Sequence, residues 1–386
     1  MLSSIVVQNL NDAGAGSLRD AITQANLDPA LDAISFAPGL SGAIALDSAL
    51  PDLATNMAIT GPGESALILE YTLAFASVSK ETPILSVPAG PTVSINGLTL
   101  KGGLGLRNAG TLVFSNSTVS GNPDQVMVGG YGAGGGIKNF GTLALVNVTV
   151  SGNGFLFAVD GARAGGIYNA SMLTIVDSRI TNNGAESEGG GIYNSGTLQL
   201  KNSTVSDNGV GFTSLGNGGG IYNTGDFTIL NSTINGNHAG TSLASGNGGG
   251  IYNTGNLSIS NSTISGNEEK SVLSASGLGG GIYNTGTTAI SNTVIDGNSV
   301  LGWGGGIANS GLMSIVSSSV SGNSAWGGGN GYGGGIYNDG EMGLSNTTVG
   351  GNLVKGGKGA YFGGGIYNKG LFAIDQSLVR DNLAAR

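Results

Sequence analysis

The phrase Gly-Gly-Gly-Ile-Tyr-Asn, or a close variant of it, recurs along the chain and constrains the fold more than any other feature. The isoleucine of the phrase occupies Ile137, Ile167, Ile192, Ile221, Ile251, Ile282, Ile307, Ile336 and Ile366. Subtracting neighbouring positions gives spacings of 30, 25, 29, 30, 31, 25, 29 and 30 residues. A period of this length is typical of a solenoid, in which each repeat is one small unit stacked on the next.

The pattern within one repeat indicates strands rather than helices. In the copy that starts at Gly255, Leu257 and Ile259 alternate with Ser258 and Ser260, which is the period of a half-buried strand. Similar short strands follow and precede it, separated by Gly and Asn corners, so each repeat carries three. Stacking repeats at about 4.8 Å would pair their backbones and join their apolar faces. The sequence therefore predicts an all-β, right-handed parallel β-helix with three short strands per coil.

The ends of the chain differ from the middle. Leu18, Ile22 and Ala25 recur at helical spacing after Ser17, a candidate N-cap, and predict an N-terminal helical cap. We expect residues 1–101 to form this cap and irregular first coils. Residues 102–386 are expected to form regular repeats of about 25–31 residues within one continuous domain. Candidate core positions in the first part are Ile34, Ile44, Ile59, Ile68, Ile95 and Leu98.

The last residues, 381–386, carry no polar cap that would cover unpaired strand groups. We therefore expect the protein to continue beyond them or another subunit to cover that end, and end-to-end self-association is one such arrangement. Recurrent Asn residues at two corners predict ladders of stacked amides along the rod. These residues are Asn223, Asn253 and Asn284 at one corner, and Asn202, Asn231 and Asn261 at the other. The Asn-x-Ser/Thr triplets are interpreted as by-products of these corners rather than as glycosylation sites.

Composition narrows the classes of partner. The net charge of -9 argues against nucleic acid, which requires a basic surface. Charged residues are 10% of the chain, against about 25% in a typical soluble domain, so Ser, Thr, Asn and Gly must cover the surface. The chain has no Cys, which excludes disulfides and thiolate metal sites. No apolar run is long enough for a membrane span, and residues 1–7 lack the features of a signal peptide, which we expect to have been removed.

Two segments carry a resemblance to known families. Residues 17–22, Ser-Leu-Arg-Asp-Ala-Ile, resemble the opening of bacterial surface β-helix proteins of the CSLREA type, with Gly16 where that family has Cys. The Gly-Gly-Gly-Ile phrase and its following Asn are similar to repeats of polymorphic outer-membrane proteins and autotransporter-like passengers. The resemblance covers nearly the whole chain and implies export to the cell surface, where such proteins act as adhesins, stalks and sometimes enzymes. It provides no catalytic signature.

Enzymes that cleave polysaccharides on this fold need paired carboxylates, or Ca²⁺-binding acids with an Arg or Lys base, on neighbouring coils of one face. The candidate cluster of this kind is Asp177, Arg179 and Asp207, and the sequence favours a surface ion pair over catalysis there. His238, the single His, is interpreted as a solvated side chain at the start of a loop. Calcium remains an alternative through Asp, Asn and carbonyl oxygens, but no EF-hand or nonapeptide loop occurs, so we expect no metal and no cofactor.

Aromatic residues form the more promising pattern. Tyrosines follow the repeated Ile and should point away from the core; they are Tyr168, Tyr193, Tyr222, Tyr252, Tyr283, Tyr337 and Tyr367, with Lys138 and Ala308 interrupting the column. Stacking that stabilises the rod explains them, and so does a ladder for sugar rings. The variable loops add Tyr131, Phe155, Phe157, Phe212, Trp303, Trp326, Tyr332, Tyr361 and Phe362 along one edge of the rod. Trp303, Trp326 and Tyr361 are the candidates for an exposed cluster.

A third pattern is a column of Thr. Thr118, Thr149, Thr204, Thr233, Thr263 and Thr348 share one outward position, which Arg179, Val294, Ser319 and Leu378 interrupt. An unbroken Thr face would favour an ice-binding solenoid. The sequence favours instead an extracellular adhesin or stalk that recognises a glycan or a neighbouring cell's surface protein through its aromatic loops. The polysaccharide-active enzyme and the ice-binding solenoid remain alternatives.

Overall fold

The chain forms a right-handed parallel β-helix with one short helix at its N-terminal end. The computed structural model describes residues 3–28, 32–71, 82–122, 134–154, 163–211, 216–240, 245–270, 276–327, 331–356 and 361–385. Four parallel sheets run along the rod, with 25, 11, eight and six strands. The fold predicted from the repeat is therefore confirmed.

The 25-stranded sheet receives two strands from most coils. In the coil that follows Ile251 these are Asn256–Ser260 and Thr263–Ser265, with Asn261 between them at a φ of 50°. Its strands are Ser3–Val7, Asp32–Phe36, Gly42–Leu46, Met57–Thr60, Leu67–Tyr71, Thr92–Asn96, Thr99–Lys101, Thr111–Ser120, Thr142–Ser151, Met172–Val176, Arg179–Thr181, Thr197–Lys201, Thr204–Ser206, Asp226–Leu230, Thr233–Asn235, Asn256–Ser260, Thr263–Ser265, Thr287–Ser291, Val294–Asp296, Leu312–Val316, Ser319–Ser321, Glu341–Ser345, Thr348–Gly350, Leu371–Asp375 and Leu378–Arg380.

The 11-stranded sheet contains the repeated Ile-Tyr-Asn segments. Neighbouring copies pair in register, for example Ile221 with Ile251 and Tyr222 with Tyr252, so the alignment of repeats made from the sequence is confirmed. Its strands are Pro83–Val87, Leu104–Asn108, Ile137–Asn139, Ile167–Asn169, Ile192–Asn194, Ile221–Asn223, Ile251–Asn253, Ile282–Asn284, Ile307–Asn309, Ile336–Asn338 and Ile366–Asn368.

Two narrow sheets complete the later coils, and sequence reasoning missed both of them. The eight-stranded sheet contains Gly184–Ala185, Gly209–Val210, His238–Ala239, Glu268–Glu269, Ser299–Val300, Ser324–Gly327, Leu353–Gly356 and Leu383–Ala385. The six-stranded sheet contains Gly216–Asn217, Gly246–Asn247, Gly277–Leu278, Gly302–Trp303, Gly331–Tyr332 and Tyr361–Phe362. The variable loops leave the eight-stranded sheet and return through the six-stranded sheet.

The main apolar core fills the interior of the rod, and two smaller apolar clusters lie along the eight-stranded sheet. Inward positions of successive coils, such as Ile251, Leu257 and Ile259, are buried and belong to a single continuous cluster. Of the core positions predicted in the first part of the chain, only Ile68 is wrong. Its neighbours Leu67 and Leu69 point inward, and Ile68 is half-buried on the outer side because side chains alternate along a strand.

The helix Leu18–Ala25 closes the N-terminal end of this core. The Ser17 hydroxyl accepts a hydrogen bond from the Asp20 N–H at 3.2 Å, so the predicted N-cap is confirmed. Leu18 and Ile22 are buried in the same core cluster as the coils. At the opposite end, the last coil exposes core positions: Ile374 is 49% exposed, whereas its partner Leu344 in the preceding coil is 2% exposed.

Two ladders of Asn side chains run along the rod, buried except in the last coil. In each ladder, the Nδ2 of one Asn donates to the Oδ1 of the Asn in the following coil, at 2.7–2.9 Å in the first ladder and 2.8–3.0 Å in the second. The first ladder comprises Asn108, Asn139, Asn169, Asn194, Asn223, Asn253, Asn284, Asn309, Asn338 and Asn368. The second comprises Asn122, Asn153, Asn183, Asn208, Asn237, Asn267, Asn298, Asn323, Asn352 and Asn382.

The second ladder is not the one predicted. Asn202, Asn231 and Asn261 are exposed at the bend of the 25-stranded sheet, and each has a positive φ near 50°. Asn231 donates to Asn202 at a long 3.4 Å, and Asn202 donates to Asp177 at 3.1 Å. Asn recurs at this bend because it tolerates the left-handed conformation. A buried hydroxyl lies next to each bend instead, as where Ser232 accepts from the Ser203 N–H at 3.1 Å.

Candidate functional site

The tyrosine column on the outer side of the 11-stranded sheet contains a run of stacked rings. Tyr168 and Tyr193 lie 5.3 Å apart between ring centres with 1° between their planes, and Tyr222 continues the stack at 5.4 Å and 6°. Tyr252 follows at 4.8 Å and 9°, and Tyr283 then turns its edge towards Tyr252 at 73°. The regular spacing of the coils therefore converts a sequence repeat into a ladder of aromatic rings.

A second outward column lies beside the tyrosines. It runs through the six-stranded sheet and the bridges that precede it, and contains Arg163, Glu188, Asn217, Asn247, Leu278, Trp303, Tyr332 and Phe362. Glycine turns separate the two columns. At Gly248 the φ is +64°, and a Cβ there would lie 2.3 Å from the Ile251 carbonyl oxygen, so only glycine fits the turn.

The turn packs the two columns against each other. In several coils, a side chain of the second column contacts the tyrosine of the next repeat. Trp303 lies 5.2 Å from Tyr337 between ring centres, although Tyr337 belongs to the next repeat. Tyr332 lies 4.5 Å from Tyr367 in the same way. Near the N-terminal end, the Arg163 guanidinium lies 5.2 Å from the centre of the Tyr193 ring. We call the two columns together the aromatic strip.

The chemistry of the strip changes along the rod. At the N-terminal end Arg163 Nε lies 2.7 Å from Glu188 Oε2. In the middle Asn247 donates to Asn217 at 2.9 Å and accepts from the Leu278 N–H at 3.1 Å. Towards the C-terminal end, Trp303, Tyr332 and Phe362 make the second column aromatic. The strip thus offers ion pairs, amides and rings in that order.

Burial determines the ionisation of the tyrosines. Desolvation is the main cause that raises the pKa of Tyr193, Tyr222, Tyr252 and Tyr337 above the ordinary value for a phenol. Neighbouring charges modify this effect. The nearby Arg163 opposes the rise in the pKa of Tyr193, and Lys369, which donates to the Tyr337 oxygen at 3.5 Å, opposes it for Tyr337. These rings therefore present neutral hydroxyl groups at physiological pH.

The residues predicted as an exposed aromatic cluster lie in different places. Trp303 belongs to the strip, whereas Trp326 is on the eight-stranded sheet, 40% exposed, with Lys355 Nζ 5.2 Å from its ring centre. Tyr361 is half-buried and packs against the apolar cluster of Val300, Ala325 and Val354. The strip also includes Tyr337 and Tyr367, which belonged to the predicted column but not to the predicted site. The remaining loop aromatics Tyr131, Phe155, Phe157 and Phe212 lie outside the described residues.

The structure does not bring the candidate acids together. Asp177 lies at the bend before the strand Arg179–Thr181, and Asp207 lies after the paired strand of the next coil. Five strand positions separate the two bends, which corresponds to roughly 15 Å. Paired carboxylates of glycosidases lie within about 10 Å of each other. No ion pair joins Arg179 to either carboxylate among the residues that the structure describes.

His238 lies on a strand rather than in a solvated loop, which corrects the prediction. It pairs with Gly209 and Glu268 in the eight-stranded sheet, and a Cβ at Gly209 would lie 2.2 Å from the imidazole Nε2. The imidazole thus occupies the space that a larger residue at position 209 would need for its side chain. Desolvation, with a smaller contribution from Lys270, lowers the pKa of His238, and Asp207 opposes this shift.

The part of the chain that the structure describes offers neither a metal cluster nor a membrane-spanning helix. No group of three or more His, Asp or Glu side chains there could hold a metal ion. No helix in these ranges is long and apolar enough to cross a bilayer. The Thr column has the predicted register, with Thr204 paired to Thr233 and Arg179 interrupting the column.

Comparison with known proteins places the chain by fold alone. No family model matches it, and no curated protein matches it, so the resemblance of residues 17–22 stays a prediction. Among solved structures it is similar to the A-module of the mannuronan C-5 epimerase AlgE6 of Azotobacter vinelandii, with 12% identity, a TM-score of 0.52 and 96% of each chain covered. It is also similar to PfbA, a surface adhesin of Streptococcus pneumoniae, with 12% identity, a TM-score of 0.42 and coverage of 98% of this chain and 93% of that chain.

A tailspike, protein 3 of bacteriophage CBA120, matches at 10% identity and a TM-score of 0.46, covering 95% of this chain and 59% of the tailspike. The TM-score of the epimerase module, 0.52, shows that it and this chain share the β-helix architecture. The sequence identities of 10–12% are too low to show more than that. They transfer no activity and no residue roles.

Proposed function

We propose that this protein is an extracellular adhesin or stalk that binds a glycan along the aromatic strip. The observation that carries the proposal is the pairing of two outward columns, in which buried and half-buried rings lie beside side-chain amides. Aromatic rings provide apolar contact for the C–H faces of sugars, and phenol and amide groups provide hydrogen bonds to their hydroxyls. Trp303, Tyr332 and Phe362, with Tyr193, Tyr222, Tyr252 and Tyr283, are the proposed binding residues.

The order of the strip along the rod supports a long ligand rather than a small one. Ring centres in the tyrosine column lie 4.8–5.4 Å apart over five successive coils. A polymer of repeating units can contact such a row at many points, and many weak contacts add up to useful affinity. Trp326 and Tyr361 remain proposed binding residues. Trp326 is exposed on the eight-stranded sheet rather than in the strip, and we propose that it contacts the same polymer.

The proposed location is the bacterial cell surface. The resemblance of residues 17–22 to the opening of surface β-helix proteins supports it. Binding without catalysis is preferred because Asp177 and Asp207 lie at different bends, too far apart to act on one glycosidic bond.

The test is calorimetric titration of the whole chain with a panel of polysaccharide oligomers. We expect saturable binding that weakens at least about tenfold in Trp303→Ala and in Tyr222→Ala, because each removes a large apolar contact. Leu312→Ala is the matched control, since Leu312 is an exposed apolar residue of the 25-stranded sheet. Thermal melting of each variant separates lost binding from lost folding.

Three outcomes contradict the proposal. If no oligomer of the panel gives a binding signal, the protein does not bind these glycans. A protein partner or a purely structural role then remains. Heat that continues at a constant rate after each injection indicates turnover and an enzyme. If wild type and both aromatic variants bind the glycan with equal affinity, the binding site lies outside the strip. Trp326→Ala then tests whether the site lies on the eight-stranded sheet.

A further inference from the structure

The exposed bend of the 25-stranded sheet coincides with a repeated acceptor motif for N-linked sugars. The sequence contains eight Asn-x-Ser/Thr triplets, which are the motif that such sugars require. Six triplets begin at this bend, at Asn116, Asn147, Asn202, Asn231, Asn261 and Asn346. All six Asn residues are exposed, with φ between 47° and 54°, and the third residue of each triplet is a partly exposed Thr. The fold therefore places both ends of the motif at the surface, in a line along the rod.

The motif is more than the fold requires at the bend. The positive φ explains the Asn, because Asn tolerates the left-handed conformation, but it does not explain a Thr two residues later. Asn292 shows this, since it is followed by Val294 in the same structure. Six of the seven Asn bends nevertheless have Thr at that position. Of the four bends from residue 97 onwards with another residue, only Gly97 is followed by Thr; the others are Asp177, Ser317 and Gln376.

Two of the six Asn side chains have an amide that is available to react. Asn261 makes no side-chain hydrogen bond within the described part of the chain. Asn231 donates one long hydrogen bond, to Asn202 at 3.4 Å. The amides of the other four donate to a neighbouring coil at 2.8–3.1 Å.

The two remaining triplets lie away from the bend. Asn169 is a residue of the first ladder, 0% exposed, and donates to Asn194 at 2.7 Å. Asn256 is on a strand, where its amide donates to Asp226 at 2.8 Å. Neither combines exposure with a weakly bonded amide.

We propose that the exposed bend carries N-linked sugars, with Asn231 and Asn261 as the principal acceptors. In this modification the Asn Nδ2 forms a bond to the anomeric carbon of a sugar diphosphate. The bond from that carbon to the phosphate oxygen breaks, the diphosphate leaves with the electron pair, and Nδ2 gives up one proton to a base. A transferase of the producing cell supplies the base and binds the sugar diphosphate.

Sugars at the bend suit the chemistry of this surface. Charged residues are only 10% of the chain, and the position before the bend includes exposed apolar side chains, such as Val146 at 37% and Val316 at 40%. N-linked sugars are bulky and solubilising. Because successive coils are about 4.8 Å apart, sugars on Asn231 and Asn261 would lie side by side along the rod.

The test compares two preparations of the whole chain by intact mass. One is purified from the cells that produce the protein naturally, and the other from a host that lacks N-glycosyltransferases. Denaturing conditions release any glycan that is bound without a covalent bond. We expect the natural protein to be heavier by at least one glycan, and peptide mapping to locate sugar on Asn231 or Asn261. Asn169 is the internal control and should be unmodified, because it has the triplet without the exposure.

Thr263→Val tests the motif itself. Val294 occupies the same position in the following coil, so the fold accepts this change. Produced in the natural cells, the variant should lose the sugar on Asn261 although that residue is unchanged, whereas Thr263→Ser should keep it. Thr228→Val is the matched control, since Thr228 is an exposed Thr of the same sheet that does not follow an Asn by two positions.

Equal masses of the two preparations overturn the proposal. Sugar on Asn169 and not at the bend, or sugar that remains on Asn261 in Thr263→Val, overturns the assigned acceptors. These results do not depend on the aromatic strip, whose binding is measured with added oligomers, so the two proposals can fail separately.

Discussion

The Glu269 carboxylate accepts a hydrogen bond from the backbone N–H of Leu301, one coil further along the rod, at 3.1 Å. Its other oxygen accepts from the Gly246 N–H, one coil back, also at 3.1 Å. Glu269 is 2% exposed and occupies an inward position that Ala239 and Val300 fill in the neighbouring coils. One buried side chain therefore ties three successive coils together through backbone amides.

Replacing Glu269 with Ala should lower the free energy of unfolding by about 2 kcal/mol or more, because it leaves two buried N–H groups without their acceptor. Glu269→Gln keeps one acceptor oxygen and should cost less. Urea titration of both variants, followed by circular dichroism, measures these differences.

The control for this prediction is Glu268→Ala. Glu268 is the preceding residue in the same strand, but its side chain is 48% exposed and lies 3.6 Å from Lys270, which is also 48% exposed. Exposed ion pairs contribute little, so this change should be near neutral. Equal destabilisation by the two alanine variants would contradict the role given to Glu269.

Asn223→Ala should be among the most destabilising single changes, at about 3 kcal/mol or more. Asn223 donates to Asn253 Oδ1 at 2.7 Å and to the Gly225 oxygen at 3.0 Å, and accepts from Asn194 at 2.7 Å. All of these groups lose a buried partner in the variant. Denaturant titration gives the difference in unfolding free energy.

Asn231→Gly is the matched change at an Asn of the exposed bend. Glycine adopts the positive φ of Asn231 without strain, and the side chain contributes only one long hydrogen bond. We expect a loss below about 1 kcal/mol. A loss as large as that of Asn223→Ala would show that the exposed bend, and not the buried ladder, holds the coils in register.

Alkaline pH should destabilise the rod as tyrosines ionise. Burial raises the pKa of Tyr193, Tyr222 and Tyr252 in the folded state above the value near 10 of an unfolded chain. The unfolded state therefore loses protons first as pH rises. The stability that these neutral rings contribute is complete below about pH 10 and is lost as pH rises through the folded-state pKa values.

Phenolate absorbance during an alkaline titration measures this effect. Part of the signal should appear only when the protein unfolds, and Tyr222→Phe should reduce that part because its hydroxyl is missing. Titration of all eleven tyrosines at the ordinary pKa, with the fold intact, would contradict the burial of the column.

Acid pH should lower the stability of the folded state through protonation of His238, the single histidine. Burial lowers the pKa of His238 below the value near 6.5 of an unfolded chain, so the unfolded state takes up the proton first as pH falls. The contribution of neutral His238 is present above about pH 6.5 and is lost as pH falls below it.

The difference in unfolding free energy between wild type and His238→Gln isolates this effect, because carboxylates titrate in both proteins. We expect the difference to change between about pH 8 and 5 in the direction that favours the variant at the acid end. A constant difference over this range, or an imidazole that titrates at its ordinary pKa in nuclear magnetic resonance spectra, would refute the prediction.

The repeat made much of this architecture predictable because large apolar residues at fixed positions determine which side chains of each coil face the core. Ile251 and Leu257 recur at fixed positions, and a solenoid is the arrangement that lets such short strands bury them. Ser17 was recognisable as a cap because a hydroxyl before a helical pattern has one frequent role.

Other features could not be predicted from recurrence alone. Asn261 and Asn267 recur equally well, yet Asn261 is exposed with a positive φ and Asn267 is a buried ladder residue. One residue type meets two different physical requirements at these positions. Two-residue pairs such as Gly246–Asn247 are too short to show an alternating pattern, so the six-stranded sheet was missed, although Trp303, Tyr332 and Phe362 within it were predicted as loop aromatics.

The Asn ladders also give the rod a direction. At every step the amide N–H belongs to the coil nearer the N-terminus and the amide oxygen to the coil that follows, as from Asn194 to Asn223 and from Asn208 to Asn237. A cut between any two coils would therefore leave donors on one face and acceptors on the other. The two ends of any segment are complementary rather than alike, so coils can be inserted, duplicated or joined head to tail, whereas two identical ends would oppose donor to donor or acceptor to acceptor.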